Sequence, residues 1–204
     1  MRIDTPRGPA LVEIDEAAGA RLLLVLTHGS GGGVDAPDLL AVRQAALEAG
    51  ATVARVTQPF RLAGARAPGP AARQDEAWAA VVGRLRERWP DLPLVQGGRS
   101  NGARVACRTA QTVGAAAVVA LAFPLHPPGR PDRSRAAELR GAGVDVLVVN
   151  GDRDPFGVPD AADAARLVVL PGEGHDLNKH PVRVGEVVAD WIKDYRRAPA
   201  GAGR

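Results

Sequence analysis

The 204-residue chain is 46% hydrophobic and 24% charged, a balance typical of a globular protein with one substantial core. Its 26 basic and 23 acidic residues give a formal net charge of +3, which is too small a surplus of cations to favour a nucleic-acid partner. The longest apolar run near the N-terminus, residues 22–26, is too short to cross a bilayer, so we expect a cytoplasmic protein with no membrane partner.

Six apolar runs of strand length alternate with helical patterns along the chain. The predicted strands cover residues 21–27, 51–56, 92–96, 116–123, 144–150 and 166–170. The predicted helices cover residues 36–49, 71–89 and 101–113 and a last segment that begins near residue 181. Because parallel strands need long crossover connections, this alternation predicts an α/β protein with a mostly parallel sheet and helices on both faces.

The helices carry end signals and apolar stripes. For the first helix we expect Asp35 as the N-cap, Pro37 in the first turn and Gly50 as the stop. Two later helices have core-facing stripes, which are Trp78, Val81, Val82, Leu85 and Trp89, and Val184, Val187, Val188, Trp191, Ile192 and Tyr195. Pro and Gly clusters join neighbouring elements, so we predict one domain over residues 1–197 and a disordered tail over residues 198–204.

The segment from Gly98 to Gly102 has the sequence GRSNG and matches the pattern G-x-S-x-G. It lies between a predicted strand and a predicted helix, where this pattern exposes a nucleophilic serine on a strained turn. Side chains at positions 98 and 102 would collide with the adjoining strand and helix, which explains both glycines. We predict that Ser100 is the nucleophile. The alternative is a glycine-rich turn in which Ser100 only caps the helix.

A serine hydroxyl needs a neighbouring base, and the base needs a third group that fixes its tautomer. Two loops after later strands supply candidates: GDRDP contains Asp152 and Asp154, and GEGH contains His175. The order Ser, Asp, His resembles that of the α/β-hydrolases. We predict Asp154 as the orienting acid, because it precedes Pro155 in the turn, and His175 as the base. In the alternatives, the aspartates only form turn hydrogen bonds and His175 is only a solvated loop residue.

A glycine-rich segment with the sequence THGSGGG begins at Thr27, directly after the first predicted strand. At this place an α/β-hydrolase supplies one donor of its oxyanion hole, so we expect that donor from Ser30 or Gly31 and the second from the N–H of Asn101. A nucleotide-binding loop is the rival interpretation. It is disfavoured because no G-K-[ST] follows and Val34 stands where G-x-G-x-x-G needs glycine.

The remaining histidines and the cysteine show no pattern for metal binding. The four histidines and Cys107 lack the usual ligand spacings, so we expect neither a metal nor a cofactor. A single cysteine cannot form an internal disulfide, which favours a reducing compartment. His28 is expected to brace the glycine-rich loop, and His126 to lie at the mouth of the site.

Four motifs together resemble small dienelactone-hydrolase-like proteins, among them the family related to the hydrolase-like domain of an NSL-complex subunit. The motifs are LTHG from Leu26, GGRS from Gly97, FPLHPPG from Phe123 and GDRDPFG from Gly151. The resemblance implies the α/β-hydrolase fold with a triad of Ser100, Asp154 and His175. This chain differs from the family at Asn101 and Ala103, where the family has Met and Gly. We expect these two differences to affect the floor of the pocket.

We therefore predict a serine hydrolase that forms an acyl-enzyme at Ser100 with a small-molecule acyl substrate. Residues 125–143 leave room for a loop and one helix but for no lid domain, so we expect an open site for a small or exposed ester, thioester or lactone. A catalytically silent fold that acts as a binding module is the alternative. An acyltransferase would use the same residues and differ only in excluding water.

Overall fold

The computed structural model describes residues 1–65 and 67–195, whose strands form one eight-stranded sheet in the order β1-β2-β4-β3-β5-β6-β7-β8. The strands are β1 (Arg2–Thr5), β2 (Gly8–Asp15), β3 (Leu22–Thr27), β4 (Ala51–Thr57), β5 (Leu94–Arg99), β6 (Ala117–Leu121), β7 (Asp145–Gly151) and β8 (Arg166–Leu170). Strands β3 to β8 pair in parallel, and β1 and β2 add an antiparallel hairpin beside β4. The predicted mostly parallel α/β sheet is confirmed.

Helices cover both faces of this sheet, as predicted. They are α1 (Pro37–Glu48), α2 (Pro59–Leu62), α3 (Ala71–Arg88), α4 (Asn101–Thr109), α5 (Ala136–Arg140) and α6 (Pro181–Tyr195), and a short 3-10 helix spans Ala161–Asp163. Helices α1 and α6 pack together on one face, and α3 and α4 pack together on the other. This division follows because each crossover between parallel strands must return over one face of the sheet.

Each face of the sheet has its own apolar core. Most of the predicted stripe residues are buried, namely Trp78, Val81, Val82 and Leu85 on α3 and Val184, Val187, Val188, Trp191 and Ile192 on α6. Trp89, just past the end of α3, is partly buried against the same core. The side chain of Tyr195 lies outside the described part of the chain. Burial of these apolar side chains is the main force that holds the helices to the sheet.

The parallel register brings four chain segments to one edge of the sheet. The glycine-rich loop, Ser100, Asp154 and His175 follow strands β3, β5, β7 and β8, respectively. These strands and β6 are hydrogen-bonded neighbours in the order β3, β5, β6, β7, β8. Since parallel strands end at the same edge, all four segments lie at that edge.

The N-terminal part of the chain differs from the predictions. Strands β1 and β2 are not predicted, because β2 alternates buried and exposed residues instead of forming an apolar run: Val12 is buried and Leu11 is exposed. The predicted N-cap at Asp35 is wrong. Ala36 is the N-cap and has an extended backbone, because Pro37 disfavours the helical conformation in the residue before it.

Smaller differences concern the ends of elements and the segment after β4. Helix α4 ends at Thr109 rather than at residue 113, and β5 continues to Arg99 rather than ending at residue 96. Helix α2 lies in residues 58–70, where the sequence predicts no element. The predicted tail over residues 198–204 lies outside the described residues. Within residues 1–65 and 67–195, no helix combines the length and the apolar character needed to span a membrane.

Candidate active site

Ser100 lies at the tip of a tight turn between β5 and α4. Its φ of 55° falls in the left-handed region that non-glycine residues rarely adopt, so the turn is strained. A Cβ at Gly98 would lie 2.5 Å from the carbonyl oxygen of Thr27, and a Cβ at Gly102 would lie 2.7 Å from the same oxygen. The two glycines therefore allow β3, β5 and α4 to approach closely around Ser100.

A chain of hydrogen bonds joins Ser100, His175 and Asp154. His175 Nε2 lies 2.8 Å from Ser100 Oγ, and His175 Nδ1 lies 2.8 Å from Asp154 Oδ2. With the proton on Nδ1 donated to the carboxylate, Nε2 is free to accept the hydroxyl proton of Ser100. The Asp154 side chain is fully buried, and the His175 side chain is 18% exposed. The structure thus brings the three predicted residues into one connected unit.

The Asp154 carboxylate is held by its own turn and by a buried amide. The N–H of Phe156 donates to Asp154 Oδ1 over 2.8 Å, and Asn150 Nδ2 lies 3.4 Å from Asp154 Oδ2. Asn150 is fully buried, and its Oδ1 accepts the N–H of Phe123. These contacts fix the position of the carboxylate beside the imidazole.

The second aspartate of the turn has a different partner. Asp152 accepts the N–H of Gly172 over 2.7 Å in an exposed position. It therefore joins the turn after β7 to the loop after β8. The structure brings Asp154, and not Asp152, to His175.

A buried glutamate holds the loop that carries His175. Glu173 is fully buried, and its carboxylate oxygens accept the N–H groups of Lys179 at 3.3 Å and His180 at 2.6 Å. The ring of Phe156 packs against the imidazole, with ring centroids 4.1 Å apart. The position of the imidazole is therefore supported from the loop behind it and from one ring face.

The sequence analysis missed Asn150 and Glu173 as positioning residues. Asn150 lies within β7, and Glu173 follows β8 directly after its turn. A buried polar side chain destabilises the fold unless it is hydrogen-bonded. A single polar residue inside or just after an apolar strand was the available signal.

The glycine-rich loop after β3 packs directly against Ser100. A Cβ at Gly29 would lie 3.3 Å from the Cβ of Ser100. Ser30, Gly31 and Asn101 line the same pocket as Ser100. Their backbone N–H groups have no hydrogen-bond acceptor among residues 1–65 and 67–195. These amides are available to bind a substrate oxygen.

His28 joins the glycine-rich loop to the segment after β4. It is fully buried, its Nδ1 lies 2.7 Å from the carbonyl oxygen of Gly29, and its Nε2 accepts the N–H of Gln58 over 3.1 Å. These partners place the ring proton on Nδ1. Burial lowers the pKa of His28, which favours the neutral ring that this pair of hydrogen bonds requires.

Asn101 ties the first turn of α4 to α3. Its Nδ2 donates to Gln74 Oε1 over 2.7 Å, and Gln74 Nε2 donates to the carbonyl oxygen of Gly69 over 2.9 Å. Both side chains belong to residues that are only 7% exposed. Asn101 therefore adds a buried polar link beside the pocket.

Ser100 lines a pocket of about 460 Å³ at the edge of the sheet. Pro124 and Phe156 give it apolar walls. Its charged lining residues are Arg99, Arg104, Arg135 and Asp176. Between β6 and β7 the described chain forms loops and the five-residue helix α5, which leaves no lid domain over the pocket.

His126 is not among the residues that line this pocket. Its Nδ1 lies 2.9 Å from the carbonyl oxygen of Pro127, and a Cβ at Gly157 would lie 2.5 Å from its Nε2. The N–H of Gly157 donates to the carbonyl oxygen of Asp154. His126 therefore packs on the turn that carries Asp154 rather than at the predicted mouth of the site.

Arg99, directly before Ser100, lies between two carboxylates. Its Nη1 is 3.2 Å from Asp176 Oδ1, and its Nε is 3.9 Å from Asp38 Oδ2. Asp38 is fully buried, and no described side chain donates a hydrogen bond to it. Burial raises the pKa of Asp38 to about 6, against the opposing effect of the Arg99 charge.

Asp38→Asn is expected to change the pH dependence of stability. The pKa of Asp38 is about 6 in the folded protein against 3.8 for a free side chain, so wild type loses stability as the pH rises from about 4 to about 6. Relative to wild type, the variant should gain about 2 kcal/mol of unfolding free energy between pH 4 and pH 7. Urea unfolding at both pH values measures this gain. Asp35→Asn, which removes an exposed carboxylate nearby, is the control, and an equal change in both variants would contradict the prediction.

Residues 20–193 match the family described as an alpha/beta hydrolase domain. The chain belongs to this family. The match covers strands β3 to β8 and therefore every segment that contributes to the pocket. A comparison with curated proteins finds no match to this alpha/beta hydrolase domain.

Solved structures similar to this alpha/beta hydrolase domain include three bacterial proteins. A member of the a/b serine hydrolases without lid from Xanthomonas campestris is 20% identical, with a TM-score of 0.79 and coverage of 97% of this chain and 94% of that chain. Est1E from Butyrivibrio proteoclasticus is 18% identical, with a TM-score of 0.79 and coverage of 97% and 99%. Dienelactone hydrolase from Anabaena variabilis is 18% identical, with a TM-score of 0.76 and coverage of 96% of each chain. At these identities the similarity shows the fold.

Proposed function

We propose that this chain is a serine hydrolase that cleaves an ester, thioester or lactone through an acyl-enzyme at Ser100. The observation that carries the proposal is the continuous hydrogen-bond chain from Ser100 Oγ through His175 to Asp154, with 2.8 Å at both His175 contacts. A nucleophile in contact with a base that a third group orients is the arrangement that activates a serine hydroxyl. Structural neighbours that are named serine hydrolases and carboxyl esterases support a hydrolase.

Acylation begins when Ser100 Oγ attacks the substrate carbonyl carbon while His175 Nε2 takes the hydroxyl proton. The bond from this carbon to the leaving group breaks, and His175 returns the proton to the leaving group. The buried Asp154 carboxylate stabilises the imidazolium and keeps the required tautomer. Water then attacks the acyl-enzyme with His175 as base, which releases the acid and restores Ser100.

Backbone amides stabilise the tetrahedral intermediate in this mechanism. The N–H of Asn101 and the N–H of Ser30 or Gly31 bind the oxygen that becomes negatively charged. Each such donor contributes roughly 3 kcal/mol to transition-state stabilisation in comparable sites. Because Asn101 begins α4, the positive end of the helix dipole adds to this effect.

The open pocket favours a small or exposed acyl substrate over an enclosed lipid. No lid domain excludes water from the described site, which favours hydrolysis over acyl transfer. The proposed steps use protein groups and water, and no cluster of three or more His, Cys, Asp or Glu side chains suited to a metal ion occurs in the described chain. The relation to the NSL-complex family and a cytoplasmic location stay predictions from the sequence.

Labelling with a fluorophosphonate, followed by intact-protein mass measurement, tests the proposal. The chain has three serines, Ser30, Ser100 and Ser134, so the labelled residue can be assigned with few variants. We expect stoichiometric labelling of wild type, because only an activated serine attacks this reagent. Ser100→Ala should lose the label. Ser134→Ala, which removes an exposed hydroxyl outside the pocket, should keep it.

Two labelling results would contradict a nucleophilic Ser100. If folded wild-type protein takes no label, the proposal of a serine nucleophile is wrong and the binding-module alternative gains support. If Ser100→Ala keeps the label, a different nucleophile reacts. After positive labelling, a screen of esters, thioesters and lactones with wild type and Ser100→Ala identifies the bond that is cleaved.

A further inference from the structure

Three arginines line the pocket that contains Ser100, but two of them already have carboxylate partners. Arg104 donates from Nε and Nη2 to the two carboxylate oxygens of Glu138, over 2.8 and 2.6 Å. Arg99 pairs with Asp176 over 3.2 Å. The charges of Arg99 and Arg104 are therefore balanced within the protein.

Arg135 differs from both. Its Nη1 donates to the backbone carbonyl oxygen of Pro124 over 3.0 Å, and no carboxylate lies within ion-pair distance of it in the part of the chain that the structure describes. Glu138, which follows on α5, is engaged by Arg104. Burial and the nearby Arg104 charge lower the pKa of Arg135, the Glu138 charge opposes this shift, and the guanidinium stays charged at neutral pH. A partly buried guanidinium that makes no direct contact with a carboxylate can form an ion pair with an anionic group of a ligand.

We infer that the substrate carries a free carboxylate, which Arg135 binds while the carbonyl to be cleaved lies at Ser100. This inference rests on the proposed function and names its substrate class. A guanidinium presents parallel N–H donors that match the two oxygens of a carboxylate. Pro124 and Phe156 supply apolar wall for the part of the substrate that connects the two groups.

The charge balance of the pocket limits the charge of the substrate. Among the lining arginines of the described chain, Arg135 alone has no carboxylate within ion-pair distance, so one guanidinium is left to pair with a ligand anion. A phosphate monoester carries nearly two negative charges and would stay partly uncompensated. A single carboxylate is the anion that fits, as in a monoester of a small dicarboxylic acid or an ester of a hydroxybenzoic acid.

Esters that differ only in this charge test the inference. The first pair is the mono-p-nitrophenyl ester of adipic acid and its methyl-capped diester, which place or remove the charge on the acyl part. The six-carbon chain disfavours attack of the free carboxylate on its own ester. The second pair is p-carboxyphenyl butyrate and its methyl ester, which do the same on the leaving group. Phenol release gives kcat/KM for each compound. In at least one pair, we expect kcat/KM for the charged ester to be about tenfold higher than for the capped ester. This ratio should fall as salt is added.

Two arginine variants assign the preference to a residue. Arg135→Gln removes the charge but keeps an N–H donor for the Pro124 carbonyl. Arg133→Gln removes an exposed arginine two residues earlier that does not line the pocket. We expect Arg135→Gln to lower the ratio of charged to capped ester to about one, mainly through KM, and Arg133→Gln to keep the wild-type ratio. Thermal unfolding of both variants checks that they fold.

A binding measurement separates this inference from the proposed function. Ser100→Ala lacks the nucleophile, so calorimetry with this variant measures binding of the same esters without turnover. We expect the charged ester to bind about tenfold more tightly than its capped partner. Failure of the proposed function appears as no fluorophosphonate label and no phenol release by wild type, while this binding result still stands. Equal binding of charged and capped esters overturns the inference, as does an equal loss of preference in both arginine variants.

Discussion

Asp154→Asn is expected to lower kcat for ester cleavage by about 10⁴-fold without unfolding the protein. In wild type, Asp154 Oδ2 accepts the Nδ1 proton of His175, and Oδ1 accepts the N–H of Phe156. An asparagine that keeps its oxygen on Phe156 turns its amide NH₂ toward His175 and selects the tautomer with the proton on Nε2. That tautomer cannot take the proton of Ser100, so nucleophilic attack slows while the pocket keeps its shape.

Asp152→Asn is the matched control, because it changes the same residue type two positions earlier. Asp152 accepts the N–H of Gly172, and the asparagine oxygen can keep this hydrogen bond. We expect kcat within about twofold of wild type for this exposed substitution. Steady-state hydrolysis of a neutral aryl ester and circular dichroism measure activity and fold. Similar losses of kcat in both variants would show that activity depends on the conformation of the turn and not on the Asp154 carboxylate.

Gly98→Ala and Gly102→Ala are each expected to lower the free energy of unfolding by about 3 kcal/mol. The new Cβ would lie 2.5 Å from the Thr27 carbonyl oxygen in the first variant and 2.7 Å from it in the second. These atoms belong to the backbone of packed elements, so they cannot rotate away as a side chain would. Relief requires that β3, β5 and α4 separate, which also displaces Ser100.

Gly83→Ala is the control, because it is expected to raise the free energy of unfolding rather than lower it. Gly83 lies exposed within α3, and a Cβ there would meet no atom within 4 Å. Because alanine has a higher helix propensity than glycine, the free energy of unfolding of this variant should rise by up to about 1 kcal/mol. Guanidinium unfolding of the three variants measures the changes. If Gly98→Ala and Gly102→Ala are as stable as Gly83→Ala, the turn at Ser100 tolerates separation of its elements.

The parallel part of the fold could be predicted because buried strands leave a strong local signal. Strand β8 spans Arg166–Leu170, the same residues as predicted, and α6 begins at Pro181 as predicted. The N-terminal hairpin leaves a weaker signal, since only alternate residues of β2 are buried at the edge of the sheet. The N-cap of α1 shifts to Ala36 because the backbone restriction before Pro37 overrides the cap preference of Asp35.

The candidate site was predictable where a residue lies in a motif and unpredictable where its role depends on a distant partner. Ser100 is identified by its strand-turn-helix context, and chain order selects His175. The structure distinguishes Asp154 from Asp152, because the Asp154 carboxylate contacts the His175 imidazole and the Asp152 carboxylate contacts a backbone amide instead. The supporting role of Glu173 depends on backbone amides in the following loop.

The sequence by itself determined the fold class, the nucleophile motif and the order of the residues proposed to act with it, because each depends on local pattern and on the direction of parallel strands. Only the tertiary structure decided how the pocket is charged. Arg104 meets Glu138 across 34 residues of sequence, and Arg99 meets Asp176 across 77. Arg135 lacks such a partner in the described chain. Which cations are neutralised is a property of packing between distant segments, and composition alone, with a net charge of +3, does not contain it.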